Sequence, residues 1–188
     1  MSPEFAAHPH SVPAQSLSGL YYLDFSNILG GANEVAKTRY HRDIELRLHL
    51  AEMRNLGRRQ NEPLRQIRAT CVIPARMPLV PVVGAAERAG WKVNPVEVAP
   101  NGAEKEADTT LVSEMAMSPL LPGVSPKTTT VTLFSGDRDF RHVVKQLKAL
   151  GFLVIVMAWN HSTSHRLREA ASLFVPLDSY FDRITYLA

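Results

Sequence analysis

The chain has 188 residues, of which 45% are hydrophobic and 21% charged, and these values fit one globular domain with a sizeable core. No uncharged apolar run approaches the roughly 18–20 residues of a membrane-spanning helix, so the sequence predicts a soluble protein without a membrane partner. The net charge of +3 is too small to demonstrate a polyanionic partner. A single cysteine, Cys71, excludes an intrachain disulfide, and the absence of a signal-peptide pattern favours an intracellular, cytoplasmic protein.

The first half of the chain alternates predicted strands and helices behind a tail. Residues 1–18 carry three prolines among small and polar residues, and they are predicted to form a flexible tail. A buried strand at 20–23 is expected to lead into a loop marked by Gly30 and Gly31, and a helix is predicted from Thr38 to about Leu56. The next predicted elements are a strand at 67–73, a helix at 79–89 and a strand at 93–98.

The second half continues the alternation. Its predicted elements are a helix at 106–117, a strand at 128–134, a helix from about 140 to 150, a strand at 152–158, a helix capped by Ser162 or Thr163, a strand at 173–176 and a terminal helical turn. Strands that are almost continuously apolar and alternate with helices are typical of an α/β fold with a mostly parallel central sheet and helices on both faces. In such folds ligands bind beyond the carboxyl ends of the strands.

Carboxylates occupy several positions of that kind. Asp24 closes the first strand, Asp137 and Asp139 follow the strand that ends at Phe134, and Asp108 lies at the start of a helix. Clustered carboxylates repel one another unless a cation compensates, and Mg²⁺ or Mn²⁺ prefers oxygen ligands. A divalent metal at this edge would suit hydrolysis of a phosphodiester, which is nuclease chemistry.

A structural explanation accounts for the same residues singly. Asp137 or Asp139 could cap the helix at Phe140, and an acidic residue such as Asp108 is favoured in a first helical turn by the helix dipole. Asn27 could hold Asp24 or a phosphate by its amide, or it could simply form a turn. The functional interpretation therefore depends on the combination of these residues.

Three segments together resemble a known family. They are LDFSN at 23–27, KEAD at 105–108 and LFSGDRDF at 133–140, and in order and spacing they are similar to the NYN family of PIN-like ribonucleases over roughly residues 20–177. The resemblance implies a PIN-like three-layer sandwich, with the domain at 19–188. It also implies that an acidic cluster binds Mg²⁺ or Mn²⁺ and hydrolyses RNA.

The resemblance further implies roles for individual side chains. Asp24, Asp108 and Asp137 would be the main metal-organising carboxylates, and Asp139 would be a further ligand or an outer-shell partner. Asn27 would position these groups.

Other positions are less directly matched. Ser135 is expected next to the substrate, where it would orient Asp137. Glu106 and Ala107 stand where the family usually has a small residue and Val, so Glu106 is a second choice as a metal ligand. The segments 31–63 and 118–126 carry no motif that transfers, and we expect them to influence substrate choice.

Basic residues predict where RNA would bind. Nine Lys or Arg residues lie between positions 37 and 68 against four carboxylates, and Arg58 and Arg59 are the best candidates there for phosphate contacts. Arg138 and Arg141 flank the predicted metal site and are candidates for binding the scissile phosphate. Charged helix faces are also commonly just solvated, so both interpretations stay open for these arginines.

The sequence thus predicts a metal-dependent ribonuclease, most simply an endoribonuclease acting on single-stranded or flexible RNA. The main alternative is a catalytically weak RNA-binding or assembly module with the same fold. A phosphatase of the haloacid dehalogenase type fits poorly, because Ser26 stands where that chemistry needs a second Asp as acid and base. Whether the chain forms a homodimer is left open.

Overall fold

The computed structural model describes residues 18–58, 67–74, 79–96 and 105–187. Six parallel strands form the central sheet in the order β4-β3-β1-β5-β6-β7, and two further strands, β2 and β8, form a separate antiparallel pair. The strands are β1 (Gly19–Asp24), β2 (Leu46–Leu48), β3 (Ile67–Pro74), β4 (Lys92–Val96), β5 (Thr130–Phe134), β6 (Leu153–Ala158), β7 (Leu173–Pro176) and β8 (Thr185–Leu187).

In the described residues, seven helices cover the two faces of this sheet. They are α1 (Phe25–Tyr40), α2 (Leu50–Leu56), α3 (Leu79–Arg88), α4 (Lys105–Met117), α5 (Arg141–Ala149), α6 (His165–Ala170) and α7 (Phe181–Ile184). Short 3₁₀ turns lie at Ser118–Leu120, Arg138–Phe140 and Leu177–Tyr180. None of the helices in the described part of the chain combines the length and the apolar character needed to cross a membrane.

The two faces have separate cores because side chains alternate along each strand. Leu20 and Tyr22 pack in a cluster that includes buried residues of α4, α5 and α6. Tyr21 and Leu23, on the opposite face, pack with buried residues of α1, α2, α3 and α7. The predicted three-layer α/β sandwich with a mostly parallel sheet is therefore confirmed.

The order of the strands places a crevice between β1 and β5. The chain adds β3 and β4 on one side of β1, and then β5, β6 and β7 on the other side. Leu23 near the end of β1 is in register with Phe134 at the end of β5, so Asp24 and Ser135 leave the sheet next to each other. In open parallel sheets a reversal of this kind is where ligands bind, beyond the carboxyl ends of the strands.

The loop expected after β1 is wrong, because α1 begins directly at Phe25 and runs through Gly30 and Gly31. Its first turn is fixed by Asp24, whose side chain accepts a hydrogen bond from the backbone N–H of Asn27. The pair of glycines reflects packing instead of a turn: a Cβ on Gly31 would overlap the Trp159 ring, whereas one on Gly30 would meet nothing. The helix ends where His41 adopts a left-handed conformation with φ of 54°.

The single helix predicted from Thr38 to Leu56 is also wrong, since only its beginning and end are helical. Between them, Leu46 and Leu48 are buried and Arg47 is exposed, which is the alternation of a strand. This strand, β2, pairs with β8 at the far end of the chain, which the sequence left as a terminal helical turn. Helical spacing over a short window did not reveal a pairing between segments so distant in sequence.

The remaining predicted elements are confirmed within a few residues at their ends. Residues 1–17 of the predicted tail and residues 97–98 of the strand predicted at 93–98 lie outside the described residues. The predicted cap at Ser162 or Thr163 falls one or two residues later, because Ser164 is the residue that precedes α6.

Candidate active site

The centre of the crevice is the carboxylate of Asp24, which is only 6% exposed. Its Oδ1 accepts hydrogen bonds from the Asn27 N–H at 3.1 Å and the Ser26 hydroxyl at 3.2 Å. Both contacts follow from its place as the last residue of β1 and the N-cap of α1. The sheet and the helix together therefore fix one face of this carboxylate.

Ser135, the first residue after β5, fixes the other face. Its buried hydroxyl donates to Asp24 Oδ2 at 3.0 Å and accepts from the Asp137 N–H at 3.2 Å. We expected Ser135 to orient Asp137, and the structure shows that it contacts the Asp137 backbone while its hydroxyl proton is given to Asp24. One small side chain thus connects the two acidic residues.

Asn27 connects the same two loops by a second route. Its Oδ1 accepts a hydrogen bond of 2.9 Å from the Gly136 N–H. The interpretation of Asn27 as a turn former is wrong, because it lies in the first turn of α1. Its side-chain oxygen positions the backbone between Ser135 and Asp137.

The loop that carries Asp137 is held from behind by the loop before α6. The Ser164 N–H donates to the Gly136 carbonyl at 2.9 Å, and a Cβ on Gly136 would lie 3.0 Å from the Cα of Thr163. That loop follows Trp159, whose indole N–H donates to the Ile28 carbonyl at 2.8 Å. Close packing around Gly136 therefore fixes the backbone that leads to Asp137.

Asp137 itself caps the 3₁₀ turn at Arg138–Phe140, since its Oδ1 accepts from the Asp139 N–H at 2.8 Å. The capping explanation is confirmed for Asp137. Capping engages one of its two oxygens and leaves the half-buried carboxylate oriented beside the crevice. Asp139 is exposed, and its carboxylate lies 3.7 Å from the Arg138 guanidinium.

Burial dominates the electrostatics of Asp24. Desolvation raises the pKa of this carboxyl above its ordinary value, although the hydrogen bonds from Asn27, Ser135 and Ser26 lower it. The negative charge of Asp137 raises the pKa further. The protein therefore keeps two mutually repelling carboxylates next to each other, one of them buried, which is the arrangement that a bound cation would relieve.

Asp108 reaches the same edge of the sheet from α4. The neighbouring Ala107 is buried in the core cluster that contains Tyr22 and Phe140, and α4 contacts both β1 and the 3₁₀ turn after Asp137. Asp108 is half-buried in the first turn of this helix, whereas Glu106 is exposed. The start of α4 follows β4, so Asp108 lies at the carboxyl edge of the sheet, and metal binding by Asp108 or Glu106 stays a prediction.

Next to the acidic residues lies a cavity of about 400 Å³, which we call the arginine pocket. It is lined by Arg138, Asp139, Arg141, His142 and Arg166. The sequence analysis named Arg138 and Arg141 but not His142 or Arg166. The strand and helix order could have revealed Arg166. This residue lies in the first turn of α6, the helix after β6, and therefore at the same carboxyl edge as Asp137.

Comparison with known protein families decides the classification. The family model of the NYN domain matches residues 22–178, a span that contains Asp24, Asp108, Ser135 and Asp137. The chain belongs to the NYN domain family. NYN domains are generally nucleases of the hydrolase class, and the grouping with PIN-like ribonucleases is consistent with the fold.

Solved structures support the fold of this NYN domain. A crystal structure of a protein of unknown function from Vibrio parahaemolyticus is similar over 89% of this chain and 96% of its own, with a TM-score of 0.58 and 16% identity. An aspartate aminotransferase from Thermotoga maritima aligns over 88% of this chain and 49% of its own with a TM-score of 0.31 and 16% identity, a likeness too weak to support an argument. No curated protein matches the chain significantly.

The fit of this NYN domain to a divalent metal can be tested on its own donors. Across the described ranges, no group of three or more acidic, His or Cys side chains is arranged to hold a metal. The structure supplies instead the pair Asp24 and Asp137, with Asp108 on the same edge. Mg²⁺ is commonly held by one or two carboxylates, several waters and substrate phosphates, so a carboxylate pair fits that ion.

RNA binding by the other two predicted residues, Arg58 and Arg59, stays a prediction. Arg58 is exposed just after α2. Arg59 lies outside the described residues. Within the same basic segment, Arg54 is half-buried and donates to the carbonyl of Ile67, so this arginine has a structural role.

Proposed function

We propose that this protein is a metal-dependent ribonuclease, most simply an endoribonuclease, whose acidic site is built on Asp24 and Asp137. The observation that carries the proposal is the hydrogen-bonded connection from Asp24 through Ser135 to Asp137 at the point where the strand order reverses. Membership of the NYN family, which is generally nuclease, supports the reaction class.

The carboxylates have distinct parts in this proposal. Asp24 is buried and held by three donors, so its position is fixed before substrate arrives. Asp137 is half-buried, and its backbone is tied to the crevice by the Ser135 hydroxyl. Asp24 and Asp137 would hold Mg²⁺ or Mn²⁺, with Asp108 as a further candidate at the same edge of the sheet. The metal, when bound, supplies an activated water and stabilises charge on the phosphate.

Neighbouring groups would position the substrate. Ser135 and Asn27 keep the Asp137 loop in place through the contacts with Asp24 and the Gly136 N–H. Arg138 and Arg141 follow Asp137 closely in the chain and line one cavity, where they would bind a phosphate group of the RNA, whose oxygens suit the planar guanidinium group. Asp139, exposed and near Arg138, would restrain that arginine.

The experiment that tests this function compares substrates and metals. The full chain is incubated with one labelled sequence as single-stranded RNA, as an RNA duplex and as single-stranded DNA, each with Mg²⁺, Mn²⁺ or EDTA. Cutting of the single-stranded RNA that needs metal supports the proposal. Equal cutting in EDTA, or cutting of DNA alone, contradicts it.

One observation favours the second candidate, a catalytically weak RNA-binding or assembly module. Among the described residues the site shows a carboxylate pair and not a group of three ligands. On this alternative, RNA would bind in a salt-sensitive manner with no metal-dependent cutting. Measuring RNA binding at two salt concentrations, alongside cleavage in the same incubation, separates the two functions.

A further inference from the structure

The arginine pocket has a chemistry of its own that the carboxylates do not explain. Its three guanidinium groups face one carboxylate, so it carries a net charge of about +2 when His142 is neutral. The carboxylate already counted in this sum, Asp139, lies 3.7 Å from Arg138 and offsets the charge of that arginine. Arg141 and Arg166 therefore supply most of the positive charge.

These arginines come from different elements, which distinguishes the pocket from one solvated helix face. Arg138 lies on the 3₁₀ turn, Arg141 begins α5 and Arg166 is the second residue of α6. The two helices pack on each other, with buried residues such as Val143 and Leu167 in one core cluster. The core thus sets the separation of the backbone positions that carry Arg141 and Arg166 before any ligand binds.

The charge of the pocket matches one kind of phosphate better than another. An internal phosphodiester carries one negative charge, whereas a phosphate monoester carries about −1.5 to −2 near neutral pH and has three acceptor oxygens. A net charge of about +2 on several planar guanidinium donors complements the monoester. The pocket begins at Arg138, the residue after Asp137, so a group bound there would lie next to the acidic site.

We propose that the arginine pocket binds a terminal phosphate monoester of RNA and thereby places a chain end beside Asp137. The inference rests on the proposed function, since it takes RNA as the substrate. The proposed ligand is a phosphate monoester, which can stand at either the 5′ or the 3′ end of the RNA. An internal phosphodiester is the competing occupant, and it would give no preference for either end.

Binding in EDTA, where metal-dependent cutting cannot occur, tests the pocket separately from catalysis. One internally labelled single-stranded RNA is prepared with a 5′-phosphate, with a 3′-phosphate or with hydroxyls at both ends. The wild-type chain should bind one phosphorylated form about tenfold more tightly than the hydroxyl form, the scale of one charge-assisted hydrogen bond. Which form is preferred identifies the end that is recognised.

Two variants show whether the preference comes from the pocket. Arg166→Gln should remove the preference, while Lys127→Gln should retain it, because Lys127 is an exposed cation before β5 at the opposite edge of the sheet. Melting temperatures equal to that of the wild type show that both variants are folded. Equal affinity for the three RNAs, no binding to any of them, or a preference that survives in Arg166→Gln overturns the pocket proposal. Metal-dependent internal cleavage of RNA is measured separately. Failure of the pocket proposal can therefore be distinguished from failure of the ribonuclease proposal.

Discussion

The hydroxyl of Ser135 donates a hydrogen bond of 3.0 Å to Oδ2 of Asp24, although the two residues are 111 positions apart in the chain. The same hydroxyl accepts from the Asp137 N–H, so it cannot be removed without affecting both acidic residues. Its place is set by the parallel pairing of β1 with β5. The pairing of β1 with β5 thus sets the spacing between Asp24 and the loop that carries Asp137.

Ser135→Ala tests the value of this hydroxyl. The change leaves the buried carboxylate with one donor fewer, and we expect it to lower the free energy of unfolding by about 1–3 kcal/mol. It should also raise the pKa of Asp24 further, because one of the hydrogen bonds that lowers it is lost. Denaturant unfolding measures the first effect. Ser179→Ala, on an exposed turn, is the matched control, and equal stability of the two variants would contradict the role of Ser135.

Asp24→Asn tests the electrostatic cost of the buried charge. Because burial raises the pKa of Asp24, the native state holds a proton at pH values where the unfolded chain has lost it. Stability contributed by this group is therefore present at low pH and is lost as pH rises through the raised native pKa. The variant should melt a few degrees above the wild type at neutral pH in EDTA, and this difference should shrink as pH falls towards about 4.

Calorimetry from about pH 4 to about pH 8 measures the difference in melting temperature between the wild type and Asp24→Asn. Titration of the other carboxylates affects both proteins alike and cancels in this difference. Added Mg²⁺ should raise the melting temperature of the wild type and not that of Asp24→Asn. A difference that does not change with pH would contradict the account of Asp24. Equal stabilisation of both proteins by Mg²⁺ would show that Asp24 is not a metal-binding group.

Adjacent glycines in α1 give a third test with an internal control. Gly31→Ala should destabilise the fold by about 1–3 kcal/mol, because its Cβ would overlap the buried Trp159 ring, which is held by a hydrogen bond to Ile28. Gly30→Ala should stabilise it by about 0.5–1 kcal/mol, because that Cβ meets nothing and alanine favours a helix interior. Thermal melts compare the two, and effects of the same sign would be inconsistent with this packing.

Much of the fold could be predicted from the sequence because its parallel strands are short apolar runs with clear boundaries. β5, for example, is a β-branched run that ends at Phe134 and is followed by the polar Ser135. The pair β2 and β8 could not be found in this way, since each has three residues and gains its hydrogen bonds from a segment more than 130 positions away. Such pairing depends on tertiary structure and leaves little local signal.

The candidate site was only partly predictable for a similar reason. Asp24, Asp137 and Asn27 could be named because they follow strands, but the acceptor role of Asn27 towards the Gly136 N–H depends on the three-dimensional course of two loops. Arg166 was overlooked because its own surroundings in the sequence resemble any exposed helix start. Its importance comes from the packing of α6 against α5, which brings Arg166 and Arg141 into the lining of one pocket.

Cleavage by Asp137→Asn measures the central claim most directly. Purified wild type, Asp137→Asn and the control Asp43→Asn are compared on labelled single-stranded RNA in Mg²⁺, Mn²⁺ and EDTA. Asp43 is a suitable control because its side chain is 90% exposed and forms an exposed ion pair with Lys37 at 3.5 Å. We expect metal-dependent cutting by the wild type and by Asp43→Asn, with the rate of Asp137→Asn reduced at least about 100-fold, since even outer-shell partners of a metal site are worth 10–100-fold. Cutting by Asp137→Asn at the wild-type rate would contradict an acidic site built on Asp24 and Asp137.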